Sequence, residues 1–258
     1  MISVREAFKD GKAFIPFITC GDPDLETTKK LVKAIAEAGA DIIELGIPFS
    51  DPTAEGPTIQ EANIRALSGG VTTDMIFDMV SEIRSEVSIP LVFMTYANVV
   101  FSYGTDKFLS RAAEAGISGL ILPDVPYEEK DEFAPACRKH GIDLISMIAP
   151  TSHDRIRMIA KEAEGFIYCV SSLGVTGVRN NIATDIGSMT ELVHEANPEI
   201  PCAVGFGIST PEQAESIAKD ADGIIVGSAI VKLIAENGKN SVEPVAEYVR
   251  TMKEAANS

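Results

Sequence analysis

The chain has 258 residues, of which 45% are hydrophobic, and its formal net charge at pH 7 is -16. This length allows one large α/β domain or two smaller ones, and the negative charge argues against nucleic acid or an anionic membrane surface as a partner. The N-terminal segment is charged throughout and no run of about 18 apolar residues follows it, which predicts a cytoplasmic protein without a signal peptide or membrane span.

The cysteine and histidine spacings predict neither a disulfide nor a metal site. Cys20, Cys137, Cys169 and Cys202 are far apart, form no C-x-x-C pair and lie in or beside apolar runs, so we expect buried free thiols. The three histidines are also far apart and show no H-x-x-x-H spacing. No lysine directly ends an apolar strand, and nucleophile-elbow, dinucleotide and P-loop motifs are absent from the sequence.

Short apolar, β-branched segments alternate with longer segments of helical period along the chain. Eight strands are predicted, at residues 14–19, 42–47, 90–96, 119–123, 143–148, 165–171, 201–206 and 223–226. Helices are predicted between them, including residues 25–39, 105–116, 127–141 and 210–220, and several end at a glycine suited to the left-handed cap. Eight strand–helix units favour a (β/α)8 TIM barrel over an open doubly wound sheet.

The barrel is predicted to be a single domain spanning residues 1–258, because no linker or change of composition divides the chain. Residues 3–11 are expected to form an extra N-terminal helix that closes the amino end of the barrel. Two loops are longer than a barrel requires, residues 48–71 after the second strand and 172–186 after the sixth. Both follow the carboxyl ends of strands, where barrel active sites are built.

The second predicted strand carries an acid on its inner face. Alternation places Ile43, Leu45 and Ile47 on one face and Glu44 on the other. The apolar face packs under the helices of a barrel, so Glu44 should point into the barrel near its rim. Desolvation raises the pKa of such a carboxyl group into the range useful for proton transfer. The alternative is a structural glutamate held by a buried hydrogen bond or ion pair.

The loop that follows, residues 48–57, holds two acids, three prolines and a glycine. Glu55 is a candidate for a second carboxylate over the barrel mouth, and Asp51 for holding the loop or meeting a partner. The alternative is that both acids are simply solvated.

Glycines near the C-terminus suggest a phosphate site. In residues 224–231 a strand turns at Gly227 and Ser228 directly into a short helix, whose first N–H groups are free to bind an anion. Residues 205–207 end the preceding strand, and residues 174–177 lie in the long loop after the sixth strand. TIM barrels often bind phosphate with such loops. The alternative is that these glycines serve only tight turns.

Residues 44–52, Glu-Leu-Gly-Ile-Pro-Phe-Ser-Asp-Pro, resemble the signature of the tryptophan synthase alpha subunit family. Further segments resemble that family in order and spacing, so that the likeness covers essentially the whole chain: residues 14–23, 94–98, 123–126, 174–177, 205–209 and 227–231. The resemblance implies a carbon–carbon lyase of tryptophan biosynthesis. Its reaction would be the retro-aldol cleavage of indole-3-glycerol phosphate to indole and glyceraldehyde 3-phosphate, without a cofactor or metal in this chain.

The resemblance also implies roles for individual residues. Glu44 matches the acid that shuttles protons, Glu55 the carboxylate that accepts a hydrogen bond from the indole N–H, and Tyr168 a residue close to the acid. The matching substrate-binding positions are Phe17 and Phe206 in the indole pocket, Thr176 in a closing loop, and Gly177, Gly207, Gly227 and Ser228 around the phosphate. The family has aspartate where this chain has Glu55, and a carboxylate misplaced by about 1 Å can cost about 100-fold in rate.

The resembled family works with a beta subunit that carries pyridoxal phosphate, so an alpha2beta2 complex is expected with that cofactor in the partner. Asp51, Pro52, Asn98 and Pro126 match the contact region. Three alternatives stay open: a stand-alone lyase that releases free indole, a catalytically impaired subunit that mainly activates the beta subunit, and another phosphate-binding barrel such as an isomerase.

Overall fold

The computed structural model describes residues 3–150, 152–170, 182–205 and 207–258. Its strands are β1 (Ala13–Thr19), β2 (Ile43–Gly46), β3 (Leu91–Met94), β4 (Gly119–Ile121), β5 (Asp143–Leu144), β6 (Ser146–Ile148), β7 (Ile167–Val170), β8 (Cys202–Gly205) and β9 (Gly223–Val226). They form one sheet in the order β5-β4-β3-β2-β1-β9-β8-β7-β6, and neighbouring strands are parallel.

The fifth predicted strand, residues 143–148, is interrupted at Ile145 and gives the two short strands at the ends of the sheet order, β5 and β6. The Ile145 N–H donates to the carbonyl oxygen of Leu120 at 2.9 Å, while β6 pairs with β7. The chain itself therefore connects the two ends of the sheet. The result is the predicted TIM barrel, in which β5 and β6 together occupy the place of one strand.

Helices surround the sheet. In the described part of the chain they are α1 (Leu25–Glu37), α2 (Pro57–Ser68), α3 (Thr73–Ile83), α4 (Ala97–Tyr103), α5 (Thr105–Ala115), α6 (Ala134–His140), α7 (His153–Lys161), α8 (Ile182–Ala196), α9 (Pro211–Ala218), α10 (Ser228–Asn237) and α11 (Val242–Ala256). Short 3₁₀ helices lie at Arg5–Phe8, Tyr127–Glu132 and Gly238–Asn240.

The predicted helices 25–39, 105–116 and 210–220 correspond to α1, α5 and α9. The segment 127–141 differs, because it is a 3₁₀ helix at Tyr127–Glu132 followed by the separate helix α6. Pro135 lies in the first turn of α6, where proline is tolerated because its missing N–H needs no helical partner. The residue before a proline is biased away from the helical conformation, which favours a break at this point.

The loop predicted at residues 48–71 is shorter than expected, because α2 occupies half of that range. Gly56 adopts an extended conformation before the helix and Pro57 is its first residue, a combination that starts a helix as readily as it marks a loop. The buried residues Ile59, Ala62 and Ala66 lie on one face of α2. The true loop runs over residues 47–56. Residues 171–181 of the second long loop lie outside the described ranges.

Two cores confirm the alternation predicted for the strands. Outward residues such as Ile43 and Leu45 pack against the helices, and inward residues fill the barrel together with Val4. The ring centroids of Phe8 and Phe166 are 5.6 Å apart. Residues 5–8 therefore close the amino end of the barrel as expected, in the form of a 3₁₀ helix.

The four cysteines are buried free thiols, as predicted. Among the helices of the described ranges, none has the length and apolar character needed to cross a membrane. The described strands all belong to one sheet, and the domain boundaries 1–258 stay a prediction.

Candidate active site

A cavity of about 740 Å³ lies at the carboxyl ends of the strands. Its volume is in the range of small-molecule sites. The cavity brings together the predicted residues Phe17, Glu44, Glu55, Tyr168, Gly207, Gly227 and Ser228. Residues that are distant in sequence, from β1, β2, β7 and the start of α10, thus face one space.

Glu44 is the most unusual group in this cavity. It lies in β2 beside Phe17 of β1 and is 1% exposed. Neither of its carboxyl oxygens has a hydrogen-bond partner among the described residues, so the alternative of a structural, paired glutamate has no support there. Burial raises the pKa of Glu44 to about 8. A carboxyl group with this pKa is protonated at neutral pH and can both give and accept a proton.

Tyr168 of β7 lies in the same cavity. Burial, and secondarily the nearby charge of Glu44, raises the pKa of this phenol well above its ordinary value. A Cβ atom at Gly205 would lie 2.4 Å from the Tyr168 hydroxyl, and one at Gly46 would lie 2.6 Å from the Phe17 ring. Two glycines therefore make room for the two rings, a role that the sequence analysis did not identify.

Glu55 is held over the cavity by side chains of α2. The Asn63 amide donates a 2.7 Å hydrogen bond to Glu55 Oε2, and the Gln60 amide donates one of 2.7 Å to the Glu55 carbonyl oxygen. The N–H of Ala54 donates to the hydroxyl of Tyr96 at 3.1 Å. Burial raises the pKa of Glu55, and the bond from Asn63 partly offsets this. Glu55 is thus a positioned group, in contrast to the solvated acid of the alternative interpretation.

The start of α10 also lines the cavity. Gly227 precedes the helix without a side-chain cap, so the first N–H groups of α10 remain available to an anion. Gly207 has a φ of +76° and lines the same region. Lys232 also lines the cavity. No sequence pattern singled out this lysine, although its position four residues after Ser228 places both on one helix face.

Several predicted site residues are not in this cavity or cannot be located. Thr176, Gly177 and Phe206 lie outside the described residues and stay predictions. The predicted contact positions Asp51, Pro52, Asn98 and Pro126 do not line the cavity.

The four contact positions lie on loops or helix starts that follow β2, β3 and β4. Asp51, Asn98 and Pro126 are exposed and Pro52 is half-buried. The N–H of Ala97 donates to both carboxyl oxygens of Asp124 at 3.1 Å, which ties two of these connections together. They share the carboxyl face of the barrel with the cavity.

Comparison with known proteins gives a consistent assignment. The family model described as tryptophan synthase alpha chain matches residues 5–257. The tryptophan synthase alpha chain of Lacticaseibacillus casei is 47% identical over 258 residues, covering 100% of this chain and 97% of that protein.

Solved structures agree in fold and sequence. Tryptophan synthase subunit alpha from Legionella pneumophila str. Paris superimposes with a TM-score of 0.89 at 36% identity, covering 99% of this chain and 98% of that one. A tryptophan synthase complex from Pyrococcus furiosus contains a chain with a TM-score of 0.82 and 36% identity, covering 95% of this chain and 98% of that one.

A TIM barrel with a buried acid that no described residue pairs with, in a cavity at the carboxyl ends of its strands, is the arrangement of a barrel enzyme. The particular family follows from the comparisons. The chain belongs to the tryptophan synthase alpha chain family, and it is an enzyme subunit with lyase activity in tryptophan biosynthesis.

Proposed function

We propose that the chain cleaves the carbon–carbon bond of indole-3-glycerol phosphate by a retro-aldol reaction, giving indole and glyceraldehyde 3-phosphate. The observation that carries the proposal is the buried carboxyl group of Glu44, which has no hydrogen-bond partner among the described residues and faces a cavity of about 740 Å³. An unpaired acid in such a place costs stability, so a functional role is the best account of it.

The cavity matches the two ends of this substrate. Phe17 and Ile59 supply apolar surface for the indole ring, and the start of α10 at Gly227 and Ser228 faces the phosphate. Backbone N–H groups at a helix N-terminus bind phosphate well because they combine free donors with the positive end of the helix dipole. Glu44, on the strand beside Phe17, faces the same cavity and is proposed to act on the bond that is broken.

Glu44 supplies the proton transfers. Its carboxyl group protonates the indole ring carbon that bears the glycerol chain, and the carboxylate so formed takes the proton of the adjacent glycerol hydroxyl. The carbon–carbon bond breaks as the aldehyde forms, and its electron pair returns to the indole ring. A pKa of about 8 suits an acid that must give and recover a proton near neutral pH.

Glu55 takes the second role, as an acceptor for the indole N–H. The hydrogen bond from Asn63 favours its ionised form, whereas no described residue donates to Glu44. Two carboxyl groups in different environments can hold opposite protonation states at one pH. The bond from Asn63 at 2.7 Å also fixes the longer glutamate side chain, so Glu55 is proposed to work in place of the family aspartate.

The test is indole formation from indole-3-glycerol phosphate by the purified chain, alone and with a beta subunit. Glu44→Gln should lower turnover about 100- to 10,000-fold, the usual contribution of general acid–base catalysis. Glu37→Gln, the same change at an exposed position of α1, should behave as the parent. A parent that is inert in both settings, or a Glu44→Gln variant with parental turnover, contradicts the proposal.

Glu55→Asp separates this proposal from the alternative of an impaired subunit. Shortening the side chain gives up the bond from Asn63, so we expect turnover to fall about 10- to 100-fold. Faster cleavage by Glu55→Asp than by the parent would instead show that the native glutamate is misplaced, and the main role would move to activation of a beta subunit.

We further propose that a beta subunit binds the loops after β2, β3 and β4, in an alpha2beta2 complex whose pyridoxal phosphate belongs to the partner. Support comes from the exposure of Asp51, Asn98 and Pro126, which follow β2, β3 and β4 on the carboxyl face of the barrel. Phe101, one turn after Asn98, is 50% exposed and stacks on Phe133 at 4.7 Å. An exposed aromatic ring among polar groups is typical of a protein interface.

Titration with a beta subunit, followed by sedimentation, tests this surface. Asn98→Arg should weaken the complex at least about tenfold, because a large charge enters the contact. Asn240→Arg, at an exposed position outside the predicted contact region, should leave it unchanged. Equal affinity for the two variants would place the partner elsewhere.

A further inference from the structure

Three possible metal ligands meet at the amino-terminal end of the barrel, opposite the cavity. His194 lies in the last turn of α8, Cys202 is the first residue of β8, and Asp222 directly precedes β9. One ligand atom from each lies within 4.8 Å of the other two. His194 Nε2 is 3.0 Å from Asp222 Oδ2.

Two hydrogen bonds hold Cys202 and Asp222 next to each other. The N–H of Cys202 donates to Asp222 Oδ2 at 2.8 Å, and the N–H of Asp222 donates to the carbonyl oxygen of Cys202 at 2.9 Å. The third residue, His194, lies in α8. The two residues before it in that helix, Leu192 and Val193, are buried. The group is therefore built on packed elements, which favours a defined geometry.

Access to the group is from one side. The Cys202 side chain is completely buried, whereas the side chains of His194 and Asp222 are 42% and 33% exposed. The Cys202 sulfur lies within 4.8 Å of a ring nitrogen of His194. An ion can thus approach from solvent through the imidazole and carboxylate and meet a sulfur atom beneath them.

We propose that His194, Cys202 and Asp222 form a binding site for a thiophilic divalent cation of the Zn²⁺ class. Thiolate, imidazole and carboxylate are the ligands that zinc uses in proteins, and tetrahedral bond lengths place such atoms about 3.3 to 3.6 Å apart. The group lies within 4.8 Å, so small side-chain rotations bring it to that spacing. Water fills the fourth position, and binding releases the Cys202 proton to solvent.

A simpler interpretation is that His194 and Asp222 only form a hydrogen-bonded pair and bind no ion. A second histidine–carboxylate contact in the molecule serves as a comparison. His140 and Asp106 form a related contact, with Nε2 2.9 Å from Oδ1; the Lys139 ammonium shares that oxygen at 2.6 Å, and no cysteine joins the group in the described structure. Ion binding that needs only a histidine–carboxylate contact would be reduced by His140→Gln as well as by His194→Gln. The proposal predicts that only the group with Cys202 binds a thiophilic ion.

The experiment is a Co²⁺ titration of the full chain, reduced with a phosphine, followed by absorption spectroscopy. The parent should bind one equivalent, with a near-ultraviolet thiolate-to-cobalt band and the visible bands of tetrahedral cobalt, and Zn²⁺ should displace it. Cys202→Ser should lose the thiolate band. His194→Gln should weaken binding more than about 100-fold, since loss of outer-sphere partners alone costs up to that.

Matched controls are Cys137→Ser, another fully buried thiol, and His140→Gln, and both should bind Co²⁺ as the parent does. Thermal unfolding gives a second readout, because Zn²⁺ should raise the Tm of the parent but not that of His194→Gln. The His194 side chain is 42% exposed. The His194→Gln variant therefore still tests the proposal if Cys202→Ser does not fold. Absence of the thiolate band in the parent, its persistence in Cys202→Ser, or equal weakening by His140→Gln overturns the proposal.

The inference goes beyond the proposed lyase function and does not rest on it. Indole formation by His194→Gln should equal that of the parent with or without Zn²⁺, because the cavity is at the other end of the barrel. Loss of cleavage would therefore not be mistaken for loss of the metal site.

Discussion

Acidic side chains at the two ends of the barrel differ in their hydrogen bonding. Asp41, just before β2 at the amino end, accepts hydrogen bonds of 2.7 Å from the Lys253 ammonium and from the Phe14 N–H. Glu44, three residues later and inside the barrel, has no partner for either oxygen in the described structure. One strand region thus carries both a satisfied acid and an unsatisfied one.

This difference separates residues that hold the fold from residues that act on a substrate. Buried polar groups are normally paired, and an unpaired one needs an explanation. Thr19 and Thr95, near the carboxyl ends of β1 and β3, also have buried hydroxyl groups without a described partner. Ser118, before β4, and Ser241, before α11, are exceptions to this pattern. The unpaired carboxyl group of Glu44 among the described residues still indicates that stability is given up for function at the carboxyl end.

The largest expected effect is on the pH dependence of stability. Burial raises the pKa of Glu44 from 4.5 to about 8, so the folded state binds its proton more tightly than the unfolded state. The parent should therefore lose stability as pH rises from about 4.5 to 8, on the order of 4 kcal/mol. Glu44→Gln cannot ionise and should lack this loss.

Urea unfolding at pH 5.5 and pH 9 measures the effect. The stability of Glu44→Gln relative to the parent should increase between the two values. Parallel pH curves for parent and variant would mean that Glu44 has a paired, ordinary carboxyl group, and the contrast between the two ends would disappear.

The next largest expected effect is a loss of turnover when the space that Gly205 leaves for the Tyr168 ring is filled. Gly205→Ala adds a Cβ atom 2.4 Å from the Tyr168 hydroxyl, so the ring must move away from its place beside Glu44. Turnover of indole-3-glycerol phosphate should fall about 100-fold, as expected for a displacement of about 1 Å in a catalytic site.

Gly187→Ala is the matched control, because its added atom would meet only Asp220 at an ordinary 3.7 Å. This variant should keep parental turnover. If Gly205→Ala also cleaves at the parental rate, Tyr168 has no part in positioning the reaction.

The sequence predicted those features that depend on local period. Alternation in β2 was enough to orient Glu44, because successive strand residues face opposite sides. The turn at Gly227 was equally local. The contact of Asn63 with Glu55 was not predictable, because it joins a loop to α2, a helix that the sequence pattern did not reveal.

Contacts between distant segments could not be predicted from the sequence either. Cys202 and His194 looked unrelated to metal binding by spacing, since only the packing of α8 on the start of β8 brings them to Asp222. Gly205 showed no sign of its role because the ring it accommodates belongs to another strand. Spacing rules detect sites within one element and miss those assembled from three.

A smaller effect tests the satisfied end of the comparison. Asp41→Asn removes the charge that Lys253 contacts, and both side chains are partly exposed. Unfolding free energy should fall by about 2 kcal/mol, less than for a fully buried pair. Turnover should not change. A loss of turnover without a loss of stability would reverse the assignment of the two ends.

The smallest effect concerns Lys232, which lines the cavity near the proposed phosphate site at the start of α10. Its side chain is exposed and its ammonium is 3.9 Å from Glu236, so solvent screens its attraction for phosphate. Lys232→Gln should raise KM about three- to tenfold with little change in kcat, since it acts on binding alone. Lys219→Gln, which removes a lysine from a similar i,i+4 pair with Glu215, is the control. An equal rise in KM for both variants would show a general charge effect, whereas a rise for Lys232→Gln alone, reduced at high salt, places this lysine at the phosphate.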